Sequence, residues 1–167
     1  MINKLSIKSQ YTFLNELEHY SFIFNYKEDP SLAAVIVKSN LPYKPGVYLI
    51  YSLYNNEICD LLYVGKAGAD QNGTINTHQV PKRLLATITP HDKYRTHKDM
   101  PNRIDVTRNI AFPIMMEVDK ITSIKVFCFF SNITDDMKVE TKSNPVYLER
   151  EINKILKRLE IKPKWAK

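Results

Sequence analysis

With 167 residues, 44% of them hydrophobic and 25% charged, the chain is long enough for a core that needs no cross-links, and one soluble domain is the simplest expectation. Its two cysteines, Cys59 and Cys128, lie far apart and form no CxxC, which excludes a disulfide framework and a metal knuckle and points to a reducing, cytoplasmic location. The start MINKLSIKSQ lacks the apolar run of a signal sequence, and no apolar segment approaches the ~20 residues of a membrane span, so no membrane partner is expected. The formal charge of +6 suits a polyanionic partner. That charge is concentrated: seven basic residues stand against three acidic ones from Pro81 to Arg108, and again from Glu149 to Lys167, while the remainder is net negative.

In chain order, Ser9 as N-cap and the stripe Tyr11, Phe13, Leu14, Leu17 and Tyr20 predict a helix over 9–20. Leu32–Val37, entered through Asp29-Pro30-Ser31, reads as a second helix. Residues 1–40 are thus expected to be an N-terminal helical extension that packs on the domain or forms a subunit contact. The prolines of Asn40–Pro45 exclude helix and give an extended lead-in to the main domain, 41–167. Two runs rich in β-branched and aromatic residues, Gly46–Tyr54 and Ile58–Val64, flank Asn55-Asn56 and predict a β-hairpin. Val47, Leu49, Tyr51 and Leu53 share one face of the first strand and Tyr48, Ile50, Ser52 and Tyr54 the other. Both faces are largely apolar, as in a strand covered on both sides.

Gly65–Gln79 is polar and glycine-bearing and reads as a loop. Val80–Thr89 predicts a short helix, with Pro81 in its first turn, Leu84, Leu85 and Ile88 on its inner edge and Pro90 as its stop. Residues 91–120 hold many side chains suited to nucleic acid, His91, Lys93, Tyr94, Arg95, His97, Lys98, Asn102 and Arg103 among them. They are weighed equally as a solvated loop and helix and as a DNA-recognition insert before the last strand. ITSIKVFCFF, 121–130, predicts a central strand. Asn144 as cap and Pro145 at the first position open the last helix, whose buried face is Leu148, Ile152, Ile155, Leu156 and Leu159. Glu149 and Glu151 lie about 75° to either side of that face, so periodicity does not choose between them.

Gly46-Val47-Tyr48 and Tyr63-Val64-Gly65, followed by Lys66-Ala67, then Arg83 in VPKRLLATI and Glu149 in Leu148-Glu149-x-x-Ile152, occur in the order of the GIY-YIG nuclease signature. Over roughly 46–165 the chain therefore resembles that family, and with YVGKA, a loop and VPKRL it looks closest to the restriction endonuclease branch. The resemblance implies an α+β fold: a small central β-sheet of about three strands, hairpin first, flanked by helices. It also implies a Mg²⁺-dependent endonuclease that hydrolyses phosphodiester bonds in double-stranded DNA, with Mn²⁺ able to substitute. Tyr48, Tyr63, Lys66, Arg83 and Glu149 would form the catalytic set. Glu149 would hold the metal and Arg83 grip the phosphate, while Tyr48 or Tyr63 orients or deprotonates the water. Lys82, His91, Lys93, Tyr94, Arg95, Lys98 and Arg103 are the expected DNA contacts. Cutting both strands implies a homodimer or larger homo-oligomer.

Two departures stand out. Thr87 occupies the position, one turn after the arginine, where the family commonly has histidine or tyrosine, leaving His91 or Tyr94 as substitutes. Ala166 follows Pro163-Lys164-Trp165 where asparagine is usual. A repair, phage or mobile-element nuclease of the same class, and a catalytically inactive nucleic-acid-binding module, remain the alternatives.

Overall fold

The computed structural model describes residues 7–166, apart from the Lys8 side chain. The chain opens with a helical turn, α1 (Ile7–Gln10), and a 3₁₀ turn over Thr12–Leu14, then enters strand β1 (Glu18–Asn25). This corrects the helix expected over 9–20. Tyr11 has non-helical backbone angles (φ −123°, ψ 66°) that break the helix, and Tyr11, Leu14 and Leu17 are buried from within turns. From Ser21 onward the run SFIF alternates instead, with Phe22 and Phe24 buried and Ser21 and Ile23 exposed, as suits a half-covered strand. The segment expected to be wholly helical thus supplies a sheet strand.

Helix α2 (Leu32–Ser39) forms as its sequence predicts. Ser31 Oγ accepts from Ala34 N at 3.0 Å, and Asn40 closes the helix in the left-handed region at φ 51°. Strands β2 (Gly46–Tyr54) and β3 (Glu57–Ala67) pair antiparallel around Asn55 and Asn56, both at positive φ as a type I′ turn demands. After the loop come α3 (Val80–Arg83), β4 (Thr87–Ile88), α4 (Asp92–Arg95), β5 (Val106–Thr107) and α5 (Arg108–Val118). Strand β6 (Ser123–Phe130) and helix α6 (Pro145–Arg158) complete the chain. The helix expected over Val80–Thr89 ends at Arg83, because Thr87 and Ile88 pair with Thr107 and Val106 in a two-stranded ribbon.

The fold is α+β. Its main sheet is antiparallel with four strands rather than about three, in the order β1-β6-β2-β3, and β1 precedes the hairpin in the chain. Interior β2 is buried from Gly46 to Ser52 on both faces. One face, with Tyr48, Ile50, Leu62, Phe22, Phe24 and Val126, packs against α2, α3 and α5. The other, with Val47, Leu49, Tyr51, Leu61 and Phe129, packs against α6 and the N-terminal turns. Residues 108–118 therefore belong to a core helix and not to a surface insert, with Ala111, Phe112, Met115 and Met116 buried. No helix among the described residues is long and apolar enough to cross a membrane.

The C-terminal segment closes the layer behind β3. Trp165 N donates to Leu62 O at 2.8 Å, its ring lies 4.9 Å from that of Phe112, and its indole N–H donates to Asp119 Oδ2 at 2.9 Å. Tyr94 Oη donates to the same oxygen at 2.7 Å, and Lys93 pairs with Oδ1 at 3.0 Å. Burial pushes the Asp119 carboxyl up, but the donors from Trp165, Tyr94 and Lys93 outweigh it and hold the group below its ordinary value. Replacing Trp165 by Ala empties a packed site and removes a charge-assisted bond, so Trp165→Ala should cost about 3–5 kcal/mol. Urea unfolding followed by circular dichroism measures this, the sole tryptophan having been removed.

Candidate active site

The site grows from one row of residues across the sheet. Tyr20, Cys128, Tyr48 and Gly65 are aligned on β1, β6, β2 and β3. Tyr48 therefore has a small residue on either side and room for its phenol to lean over β3. A Cβ on Gly65 would lie 2.1 Å from Tyr48 Cζ, so glycine is required there by the tyrosine. Tyr63, diagonal to Tyr48 on β3, stacks on it with ring centroids 6.1 Å apart and planes at 23°. An irregularity in the β2–β3 pairing lies beside this pair: Ile50 faces Tyr63 but Tyr51 faces Leu61, leaving Leu62 as an extra residue.

The two tyrosines differ in environment. Tyr48 is fully buried and its hydroxyl has no partner among the described residues. Burial pushes its ionisation up to about 12, although the positive charges of Arg108 and Arg83 oppose the shift. At neutral pH Tyr48 is thus a neutral phenol. Tyr63 is partly exposed and is the one of the pair that solvent reaches.

Arg83 is exposed at the end of α3, which is anchored where Val80 N donates to Lys44 O at 3.1 Å and Arg83 N to Gln79 O at 2.8 Å. The sequence reading gave Arg108 no role, yet it sits at the centre of the cluster. Its guanidinium lies 5.7 Å from the Tyr48 ring and 5.3 Å from the Tyr63 ring, donates to the Arg83 carbonyl, and reaches Tyr63 Oη at 3.4 Å. The β4–β5 ribbon delivers it, with Arg108 N donating to Ala86 O at 3.0 Å. No local pattern predicts a two-residue ribbon, so no sequence signal marked this arginine.

Lys66 and Glu149 form the other half, on the opposite face of β3. Lys66 is cross-strand from Val47, on the side that α6 covers, and its Nζ lies 3.2 Å from Glu149 Oε1. Helix α6 is fixed by Asn144, whose Oδ1 accepts from Val146 N at 2.8 Å while Nδ2 donates to Asp70 O at 2.9 Å. Burial of Leu148, Ile152 and Leu156 turns Glu149 toward the β3 edge, with its side chain 24% exposed. Glu151 pairs instead with Lys154 at 2.9 Å on its own helix. The packing of α6 thus separates the two glutamates, Glu149 lying against β3 and Glu151 pairing on its own helix. Among the described residues no three His, Cys, Asp or Glu side chains gather as a metal site.

The expected DNA contacts divide. Lys82, Lys98 and Arg103 are exposed. Tyr94 is not available: it is fully buried, with its hydroxyl on Asp119, and burial raises its ionisation. Lys93 is held by Asp119 and lies 4.8 Å above the Tyr94 ring. Arg95 donates to the carbonyls of Arg103 and Ile104, at 2.8 and 2.5 Å, and staples its own loop. His91 packs on Tyr94, with Nε2 buried and without a partner among the described residues. Tyr94 is therefore not free to stand in for Thr87, which has left the helix for β4. Comparison with family models, with curated proteins and with solved structures gave no match.

Because the Tyr48 hydroxyl is buried without a partner, Tyr48→Phe should leave stability unchanged or raise it by up to about 1 kcal/mol. The folded value is raised above the ordinary value of 10.0, so its stabilising effect is present below pH 10 and lost as pH rises toward 12. Urea unfolding between pH 9 and 12 should show a shallower alkaline loss for Tyr48→Phe than for the parent protein, and a steeper one would contradict this account.

Proposed function

We propose that the chain is a divalent-metal-dependent endonuclease that hydrolyses phosphodiester bonds in double-stranded DNA. What supports this reading is that edge strand β3 carries Tyr63, stacked on Tyr48, on one face and Lys66, paired with Glu149, on the other, with Arg83 exposed at the end of α3. Phosphodiester hydrolysis needs a placed water, a cation for the non-bridging oxygens and relief of charge on the leaving oxygen. Arg83 is suited to grip the phosphate, because its charge is fixed and its donors are forked. Tyr63 is the partly exposed phenol and orients the attacking water. Tyr48, neutral and enclosed, supports Tyr63 from below. Water oxygen bonds to phosphorus as the bond from phosphorus to the sugar oxygen breaks; the water proton passes to solvent beside Tyr63, and the departing sugar oxygen takes up a proton from solvent.

Glu149 would hold Mg²⁺, or Mn²⁺ in its place. A partly exposed single carboxylate suits a hard ion whose remaining positions are filled by water and phosphate oxygens. Such an ion supplies Lewis-acid stabilisation of the phosphate, and Lys66 keeps Glu149 turned toward the edge. Within this reading, a sequence-specific restriction enzyme acting as a homodimer is the favoured form, with cytoplasmic location. Lys82, Lys98 and Arg103 would face the backbone.

A non-catalytic nucleic-acid module is the second reading, favoured by the absence of a multi-ligand metal group among the described residues. Incubation of the protein with plasmid DNA, in Mg²⁺ and in EDTA, decides between them. Discrete fragments with Mg²⁺ alone are expected. Glu149→Ala should lower cleavage by at least about 100-fold while binding DNA at least as well in a mobility shift, since a negative charge facing phosphate is removed. Salt-sensitive binding without cleavage in any divalent metal would favour the module instead.

A further inference from the structure

Arg108 is 1% exposed, and among the described residues no carboxylate pairs with it. Its surroundings are two aromatic faces, one main-chain carbonyl and one phenol hydroxyl, and its Nε has no partner. A buried cation matched only by neutral groups is costly. Methionine or leucine would fill the space between ring and helix without that penalty, so packing alone does not account for an arginine here. What only an arginine provides is a planar fork that addresses two acceptors at once. One arm holds the main-chain carbonyl of Arg83 and the other is directed at the hydroxyl of Tyr63, the two residues whose side chains would address the phosphate and the water.

We propose that Arg108 is a positioning residue of the hydrolytic site, fixing the Tyr63 hydroxyl and the Arg83 main chain in one frame. This inference rests on the nuclease reading for its catalytic consequence, though the fixing of Tyr63 does not depend on it. The 3.4 Å separation from Tyr63 is longer than a good hydrogen bond, as is common for catalytic contacts before substrate arrives. Negative charge that gathers beside Tyr63 during hydrolysis meets an unmatched positive charge in a dry setting, where it acts at full strength. Arg108 does not contact the DNA, since it is enclosed. Its loss therefore acts on turnover and not on binding.

The test compares the full-length protein with Arg108→Met and Arg108→Lys. Circular dichroism first establishes folding. Plasmid cleavage in Mg²⁺ then gives kcat and KM, and carbon-13 spectra of ring-labelled tyrosine, with the Tyr63 signal assigned through Tyr63→Phe, report the Tyr63 hydroxyl carbon. The expected result is a folded Arg108→Met protein with kcat lower by about 100-fold, as for a catalytic group displaced by ~1 Å, and KM within about twofold. Its Tyr63 signal should shift and broaden. Arg108→Lys, which keeps the charge but not the fork, should fall between. A kcat within threefold of the parent, a rise in KM at constant kcat, or an unmoved Tyr63 signal would overturn the proposal. Failure of both variants to fold would also overturn it, in favour of a purely structural role. If the parent protein cuts no DNA, the nuclease reading fails by itself, and the Tyr63 signal in the two variants decides the role of Arg108.

Discussion

Strand β2 has no solvent face between Gly46 and Ser52, and this constraint sets the rest of the sheet. A side chain on either face must be matched in size by its neighbours on β6 and β3, because a packed interior has no spare volume. Tyr48 is the largest demand on one face. Cys128 on one side and Gly65 on the other meet it, and a methyl group at 65 would occupy the phenol's own position. The two tyrosine–glycine triplets are therefore one steric arrangement and not two separate motifs. The phenol that fills the space over Gly65 also makes the floor on which Tyr63 stacks and the face toward which Arg108 is turned.

The same strand pairing divides the site between two faces. Tyr63 looks toward α3 and α5, whereas Lys66, three residues on, looks toward α6. Three residues of strand span about 10 Å, so both groups can address one ligand only around the free edge of β3. Each half is anchored to a different core. Leu148, Ile152 and Leu156 hold Glu149, while Val80, Leu84 and the β4–β5 ribbon hold Arg83 and Arg108. Strand β3 is what keeps the two in register, and the C-terminal segment braces it through Lys164 N and Trp165 N.

Those elements whose determinants are local were legible in the sequence. Asn55 and Asn56 fix the hairpin turn, Ser31 and Asn144 cap their helices, and the β-branched run at 123–130 makes the strand between β1 and β2. Where pairing partners are distant, the sequence misled. Tyr11, Leu14 and Leu17 have helical spacing but are buried from turns, because β1 must begin at Glu18 to meet Phe130. Val80–Thr89 has the apolar spacing of a helix, yet Thr87 and Ile88 are taken by Thr107 and Val106. That second event places Arg108, so the residue missed in the site and the helix cut short have one cause. Glu149 and Glu151 are alike in periodicity, and the packing of α6 sets only the first of them against β3.

Charge counted along the chain overstates what faces outward. In 81–108, Lys93 is tied to Asp119, Arg95 to two carbonyls of its own loop, and Arg108 is enclosed. In 149–167, Lys154 is tied to Glu151 and Lys164 to Asp60 at 2.8 Å. Exposed cations remain at Lys82, Arg83, Lys98 and Arg103 in the first segment and at Arg150, Lys157, Arg158 and Lys162 in the second. Screening limits each of these to a range of about 8 Å at physiological salt. A polyanion would therefore meet a few placed cations and not the total of +6. Of these, Arg83 stands on main chain that the enclosed Arg108 holds in place. The cation that would meet a phosphate and the cation that fixes its position are thus separate residues. This separation leaves the outer one free to be solvated, while the inner one is dry and immobile.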